Sequence, residues 1–374
     1  MRKILFALAF VILLTGCSST VQTPPVTATK DNNIKAPETR VKDSLTLLLE
    51  DMSLEEKVGQ LFFVAAPNND IIDEIQNYHF GGIILFADTV DGHTPDSLHQ
   101  WLKEIQNSSK IPLLIGVDEE GGTVCRISSN KGFRDSRFPS PRRLYNEGGK
   151  ELLLSTEKEK CELLGNLGIN VNLAPVCDIT TNSNAFMYQR SLGLTPELTS
   201  ECIASMVEVM SGNGIGSVLK HFPGYGNNTD THVAIAIDNR TLSELESADL
   251  VPFQGGIDAG CGAIMVSHTI VTAIDSQYPG TLSPAVHKYM RENMDFDGVI
   301  ITDDLDMGAI TDHYGRGEAA VQAVLAGNDL LCTWSYKTQY EAVLEAVRAN
   351  RISEEQLNDS VMRVLRWKQQ LKIL

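Results

Sequence analysis

Gly298-Val-Ile-Ile-Thr-Asp303-Asp304 is a short β-branched run that stops abruptly at two carboxylates. A run of that length and texture suits a strand of a parallel sheet, which is covered on both faces. The texture returns at Leu61–Ala65, Gly82–Phe86, Leu113–Val117, Ile169–Leu173, Gly216–Lys220, Ala263–Ser267 and Asp329–Thr333, which with Gly298–Thr302 makes eight runs. Longer amphipathic segments lie between them, at Pro95–Ile105, Gly148–Leu167, Glu197–Met210, Leu242–Asp258 and Ala319–Leu325. Thr94 and Pro95 read as an N-cap and a first helical residue. Ser53-Leu-Glu-Glu56 and Ser353-Glu-Glu-Gln356 read as capping boxes. Strand and helix alternating eight times predict an α/β fold, a (β/α)8 TIM-type barrel forming a single catalytic domain over residues 45–374.

In such a barrel the active site forms at the C-terminal ends of the strands. Those ends carry Asp118-Glu119-Glu120, Asn172, Lys220-His221, Ser267-His268 and Asp303-Asp304. A charged residue after an apolar run is often only a helix cap. Several converging on one rim point to a site.

The N-terminus carries a different signal. Arg2 and Lys3 precede the apolar run Ile4–Leu14, which is too short to cross a bilayer core of ~30 Å as a helix. It reads as an export signal over residues 1–16, and Leu14-Thr15-Gly16-Cys17 resembles a bacterial lipoprotein signal with Cys17 as the lipidated residue. Residues 17–44, rich in Thr, Pro, Lys and Asn, read as a tether. The expected location is therefore extracytoplasmic, lipid-anchored to the cell membrane, with the membrane met through that lipid only. Six further cysteines lack any C-x-x-C spacing and read as buried free thiols.

Composition excludes other classes. The 374 residues hold 31 Lys and Arg against 48 Asp and Glu, a net charge of −17, which disfavours binding of nucleic acid. A hydrophobic share of 43% excludes general disorder. No single run beyond the N-terminus is long enough for a polytopic membrane protein.

The segment Lys220-His-Phe-Pro-Gly-Tyr-Gly-Asn-Asn-Thr-Asp-Thr-His232 reads as a long loop over the barrel mouth. Asp230 and His232, two apart in an extended stretch, suit a carboxylate–imidazole pair. An Asx-turn with a surface His is the plain alternative. A metal held by His221 and His232 is another, ranked lower for want of a third ligand. Asp303 is placed as a nucleophile or a metal ligand, with Asp304 or Asp306 as the helix cap.

Further segments complete a pattern: Gly116-Val-Asp-Glu-Glu-Gly-Gly-Thr-Val-Cys-Arg126, Asn172-Leu-Ala-Pro-Val-Cys-Asp178, Gln189-Arg-Ser-Leu-Gly193, Met265-Val-Ser-His268 and Ala326-Gly-Asn-Asp329. With Lys220–His232 and Thr302–Asp304, their order resembles the family 3 glycoside hydrolases, in the single-domain β-N-acetylglucosaminidase (β-hexosaminidase) branch. The resemblance implies Asp303 as nucleophile, His232 as general acid/base and Asp230 as its partner. It implies that Asp118, Arg126, Arg190, Lys220 and His221 bind the sugar's hydroxyl and acetamido groups. Tyr225 and Thr123 depart from the family pattern, and the loop after Lys220 is one residue shorter than in common relatives.

The expected function is a retaining exo-β-N-acetylhexosaminidase releasing terminal non-reducing GlcNAc from cell-wall muropeptides or chitin oligosaccharides. It would act as a monomer, with no cofactor and no metal. A phosphorylase or a β-glucosidase of the same family stands beside it. So do a metal-dependent hydrolase and a lipoprotein that binds sugar without turning it over.

Overall fold

The computed structural model describes residues 43–374 apart from 67–70, 181 and 227–234. Cys17, Asp230 and His232 therefore lie outside the described residues, as do the signal segment and most of the tether.

All eight expected strands form: β1 (Phe62–Ala65), β2 (Gly82–Leu85), β3 (Leu114–Val117), β4 (Val171–Asn172), β5 (Gly216–Phe222), β6 (Ala263–Val266), β7 (Val299–Thr302) and β8 (Leu331–Thr333). They pair in parallel in the order β7-β6-β5-β4-β3-β2-β1-β8. A bridge between Ile301 and Leu330 joins the two ends and rounds the sheet into a barrel.

Side chains alternate across each strand, so one set fills the barrel and the other meets the helices. Phe63, Ile84, Leu114, Val171, Val218, Met265, Ile301 and Cys332 belong to the inner cluster. Phe62, Val64, Ile83, Leu85 and Ile115 face outward into a larger core shared with the helices. Phe63 fills the middle of the barrel against Gly116, where any Cβ would collide with its ring. The lower end is plugged by Trp367 of the helix Glu354–Gln370, whose indole lies where a Cβ on Gly262 would fall.

Helix ends follow the local chemistry. Ser53 and Glu56 cap each other reciprocally at 3.2 and 2.9 Å. Ser353 accepts from the Gln356 N–H at 3.1 Å, but Gln356 Nε2 donates to the Val324 carbonyl instead, so only half of that expected box forms. The helix expected from Gly148 begins earlier, at Pro141, and the chain bends at Gly148–Gly149. The single helix expected over Leu242–Asp258 is two, Leu242–Ser247 and Leu250–Asp258. They break at Ala248, and the next residue, Asp249, turns its carboxylate to Arg240 at 2.5 Å instead of capping the second helix. The six described cysteines are buried free thiols, as expected.

Lys368, beside the Trp367 plug, is fully buried and donates to Gln60 Oε1 at 2.6 Å. Burial pushes its ammonium group down to about 7. An unfolded lysine holds its proton to a pH of ~10.4. Between those values the unfolded chain binds more protons than the folded one, so stability rises with pH. Lys368→Met should remove this contribution. Urea denaturation of parent and variant should show their stability difference moving in the parent's favour by roughly 2 kcal/mol from about pH 7 to about pH 9. Taking the difference cancels the opposing titration of the buried thiols, and a gap independent of pH would refute the assignment.

Candidate active site

The strand period places Asp118 and Glu120 on one face and Glu119 on the other. Glu119 is buried and accepts from the backbone N–H groups of Arg126 (3.0 Å) and Ile127 (2.8 Å), and from the Ser128 hydroxyl. It shapes the hairpin of Glu119–Gly121 and Val124–Cys125, which the sequence reading did not anticipate. Asp118 and Glu120 instead meet Lys220, whose Nζ lies 2.6 Å from a carboxylate oxygen of each.

Lys220 and His221 are consecutive in β5, yet both face the barrel mouth. The register against β6 shifts between Leu219 and Phe222, and such an irregularity re-aims neighbouring side chains. Arg190, from the loop after β4, makes a two-pronged bond to Glu120 at 2.9 and 2.7 Å. Its Nη2 also approaches His221 Nε2 at 3.2 Å. A guanidinium only donates, so Nε2 accepts and the proton sits on Nδ1. That Nδ1 donates to Asp178 Oδ2 at 2.8 Å, and Asp178 also accepts the backbone N–H groups of His221 (3.1 Å) and Tyr225 (2.7 Å). Arg190 thus stands where a metal on His221 Nε2 would have to sit.

The electrostatics follow from burial and pairing. Burial alone would raise the Glu120 carboxyl, but the charges of Arg190 and Lys220 overcome it and hold the group below the ordinary carboxylate range. Burial would likewise lower Lys220, and Asp118 and Glu120 raise it instead. Arg190 is raised against the same burial penalty by Glu120.

Across the mouth, Asp303 follows β7. Its N–H donates to the Val266 carbonyl at 3.0 Å, and its Oδ1 accepts the Asp304 N–H at 2.9 Å. Asp304 Oδ1 accepts the Asp306 N–H at 2.9 Å, and its carbonyl accepts from His268 Nε2 at 2.8 Å. Neither Asp304 nor Asp306 caps the helix that follows, Gly308–Thr311, which has no side-chain cap; Asp306 instead accepts the N–H groups of Trp334 (2.8 Å) and Ser335 (2.9 Å), ahead of the helix Tyr336–Arg348 after β8.

A cavity of about 410 Å³ opens at this rim, and Asp118, Arg126, Arg190, Lys220, His221 and Asp303 all line it. Every expected site residue among those described is therefore brought together. Asp304 and Tyr225 line it too, with Phe86, Phe186, Met265 and Met307 as apolar wall. Arg126 sits 3.7 Å from Asp118, and its buried Nε has no hydrogen-bond partner among the described residues. Asn172, Ser267 and His268 end strands at the same rim but do not line the cavity. Asn172 ties β4 to the hairpin after β3 by bonding the Glu119 N–H (3.0 Å) and carbonyl (3.2 Å).

Glu120 and Asp178 were missed as site residues, though both stand inside the quoted motifs. Arg240 was missed as well. It pairs with Asp238 at 2.6 Å and Asp249 at 2.5 Å beneath the start of the loop after β5. Gly224 sits directly on Asp249 with φ of +113°, a conformation and a space that leave no room for a Cβ.

Glu120→Gln keeps the shape but removes the charge that balances Lys220 and Arg190. The loss should be about 3 kcal/mol near neutral pH, the scale for breaking a buried pair from one side. This contribution of Glu120 is in place above pH 4.5, its ordinary value, and fades as pH falls below it, because the folded carboxyl is held lower. Denaturant titrations of parent and variant should therefore converge in acid; a loss that persists unchanged there would contradict the charge argument.

Residues 53–367 match the glycosyl hydrolase family 3 N terminal domain, and residues 1–18 match the prokaryotic membrane lipoprotein lipid attachment site. The second match bears out the reading of an exported, lipid-anchored chain. Among similar sequences is a beta-hexosaminidase A of Pseudoalteromonas piscicida, 30% identical over 330 residues, covering 81% of this chain and 55% of the relative. A solved family 3 beta-N-acetylglucosaminidase from Paenibacillus sp. str. FPU-7 superposes with a TM-score of 0.81 at 34% identity, covering 86% of this chain and 63% of that one. LpqI of M tuberculosis superposes with a TM-score of 0.79 at 28% identity, covering 87% of this chain and 96% of its own. The chain thus spans little more than half of the first relative and nearly all of the last. By the extent of the domain match, and with a barrel whose strand ends gather the expected side chains, this chain belongs to glycoside hydrolase family 3.

Proposed function

We propose that the protein is a retaining exo-β-N-acetylhexosaminidase acting on terminal non-reducing GlcNAc, with Asp303 as nucleophile and His232, oriented by Asp230, as acid/base. The observation that carries this reading is a single cavity with Asp303 on one side and Asp118, Lys220 and Arg190 on the other, the two cations balanced from behind by buried Glu120. A sugar hydroxyl both donates and accepts. A wall that alternates carboxylates with ammonium and guanidinium groups offers it both partners, with charge-assisted strength. Arg126 Nε adds a buried donor with no acceptor among the described residues, suited to the acetamido carbonyl. The cavity volume, low in the ~300–1,000 Å³ range of small-molecule sites, suits one terminal ring better than an internal stretch of chain.

The reaction would run in two steps. The Asp303 carboxylate attacks the anomeric carbon as the glycosidic oxygen leaves with the proton of the His232 imidazolium, giving a glycosyl ester on Asp303. Neutral His232 then takes a proton from water, whose oxygen attacks the same carbon and releases Asp303 and the sugar. An imidazole near its ordinary pKa of ~6.5 can serve both proton transfers. The beta-hexosaminidase and beta-N-acetylglucosaminidase names of the similar proteins agree with this chemistry. A lipid anchor outside the cytoplasm would bring the enzyme to wall-derived muropeptides or chitin oligosaccharides.

Asp303→Ala should lower kcat on a nitrophenyl GlcNAc glycoside by roughly a thousandfold or more, and retained turnover would sink the nucleophile assignment. For His232→Ala, the fall should approach ~10²–10⁴-fold with poor leaving groups and be much smaller with activated ones. Equal losses on both substrates would remove His232 as the acid.

A further inference from the structure

We propose that Trp334 is the aromatic platform for the pyranose ring on the leaving-group side of the cavity. The inference rests on the hexosaminidase reading and adds what that reading leaves open, the residue that holds the ring beyond the scissile oxygen.

The direction in which substrate leaves the cavity follows from the barrel. The paired ions that would hold the terminal sugar's hydroxyls come from β3, β5 and the loop after β4, on one side of the mouth. Asp303, which would meet the anomeric carbon, follows β7. A ring bridging the two sides has its glycosidic oxygen at the β7 side, so the next sugar passes over the rim there. The neighbour of β7 at the barrel closure is β8, and the first residue after β8 is Trp334.

Trp334 is 41% exposed, an unusual condition for an indole on a well-packed barrel. Its ring lies 4.7 Å from that of Phe86, tilted by 42°, and Phe86 lines the cavity. The guanidinium of Arg126 sits 5.8 Å from the same Phe86 ring. An aromatic surface therefore runs from inside the cavity out to the exposed indole. The backbone beneath the indole is fixed. Asp306 Oδ2 accepts from the Trp334 N–H at 2.8 Å, the Ser335 N–H at 2.9 Å and the Thr333 hydroxyl at 2.9 Å. Asp306 lies three residues beyond Asp303, so one carboxylate ties the platform to the segment carrying the nucleophile. Such a fixed aromatic loses little freedom when it binds.

The chemistry selects the occupant. A β-linked gluco-configured ring has its substituents equatorial, so each face presents axial C–H groups. Those hydrogens meet the electron-rich face of an indole favourably. A sugar ring fits this surface; a small ring-free leaving group gains nothing from it.

The test compares two substrates, GlcNAc-β-1,4-GlcNAc and GlcNAc-β-azide, whose leaving group has no ring. Trp334→Ala should raise KM and lower kcat/KM for the disaccharide about fivefold to tenfold, the scale of one lost aromatic contact, with kcat little changed. Values for the azide should stay within about twofold, and Trp334→Phe should recover most of the loss on the disaccharide. An unchanged disaccharide, or equal losses on both substrates, would overturn the platform. A parent enzyme inert on both substrates would overturn the hexosaminidase reading and the platform with it.

Discussion

A buried ammonium group governs the top of this barrel. Lys220 is almost fully buried, and desolvating a lysine costs several kcal/mol unless carboxylates stand within reach. Asp118 and Glu120 supply them because a strand returns to the same face every second residue. Two carboxylates against one ammonium leave a net negative charge, and Arg190, paired with Glu120, offsets it. A second N–H of Arg190 Nη2 fixes the acceptor nitrogen of His221, which commits the other nitrogen to Asp178. Donor and acceptor counts thus settle a chain of contacts from β3 through the loop after β4 to β5. Few of these side chains are free to take another position.

The two sides of the mouth are consequently built in different ways. On the β3–β5 side the ions are already paired, so the wall need not reorganise when a ligand arrives. A polar ligand adds bonds to dipoles fixed in advance, and such preorganisation favours charge that develops during reaction. On the β7 side, carboxylates are held by backbone N–H groups. Asp303 takes the N–H of Asp304, Asp304 that of Asp306, and Asp306 those of Trp334 and Ser335. One side is therefore suited to recognition and the other presents a carboxylate whose position is set by main chain.

Much of this was legible in the sequence, and the limits have physical causes. All eight strands were readable because a strand buried on both faces needs an unbroken apolar run, and such runs stand out between polar helices. Helix starts were less legible. The kink at Gly148–Gly149 looked like a beginning, since glycine marks both. The break at Ala248 depends on a distant partner, Arg240, that no local pattern announces. In the site, Asp118, Arg126, Arg190, Lys220, His221 and Asp303 were named and found together, whereas Glu120 and Asp178 were overlooked. Adjacent acids at 118, 119 and 120 are indistinguishable as letters. Only the strand phase separates the one that faces the cavity, the one that shapes the hairpin and the one that balances two cations. Ser267 and His268 sit at a strand end like the others but turn into the protein, because His268 is spent on the Asp304 carbonyl and Thr281.

Main-chain contacts also fix position 225, where Tyr departs from the family pattern. Asp178 holds this position through the backbone N–H of residue 225, a group every residue but proline has. Gly224, just before it, rests on Asp249, which is fixed by Arg240. Main-chain contacts thus hold this stretch of loop from both sides. That side chain is buried at the cavity wall, edge-on to His221 at 5.2 Å and to Phe186 at 5.9 Å. Position 225 is therefore held through its backbone, while its side chain packs into the cavity wall. A change of side chain there would alter the shape of the cavity and leave the backbone bond to Asp178 in place.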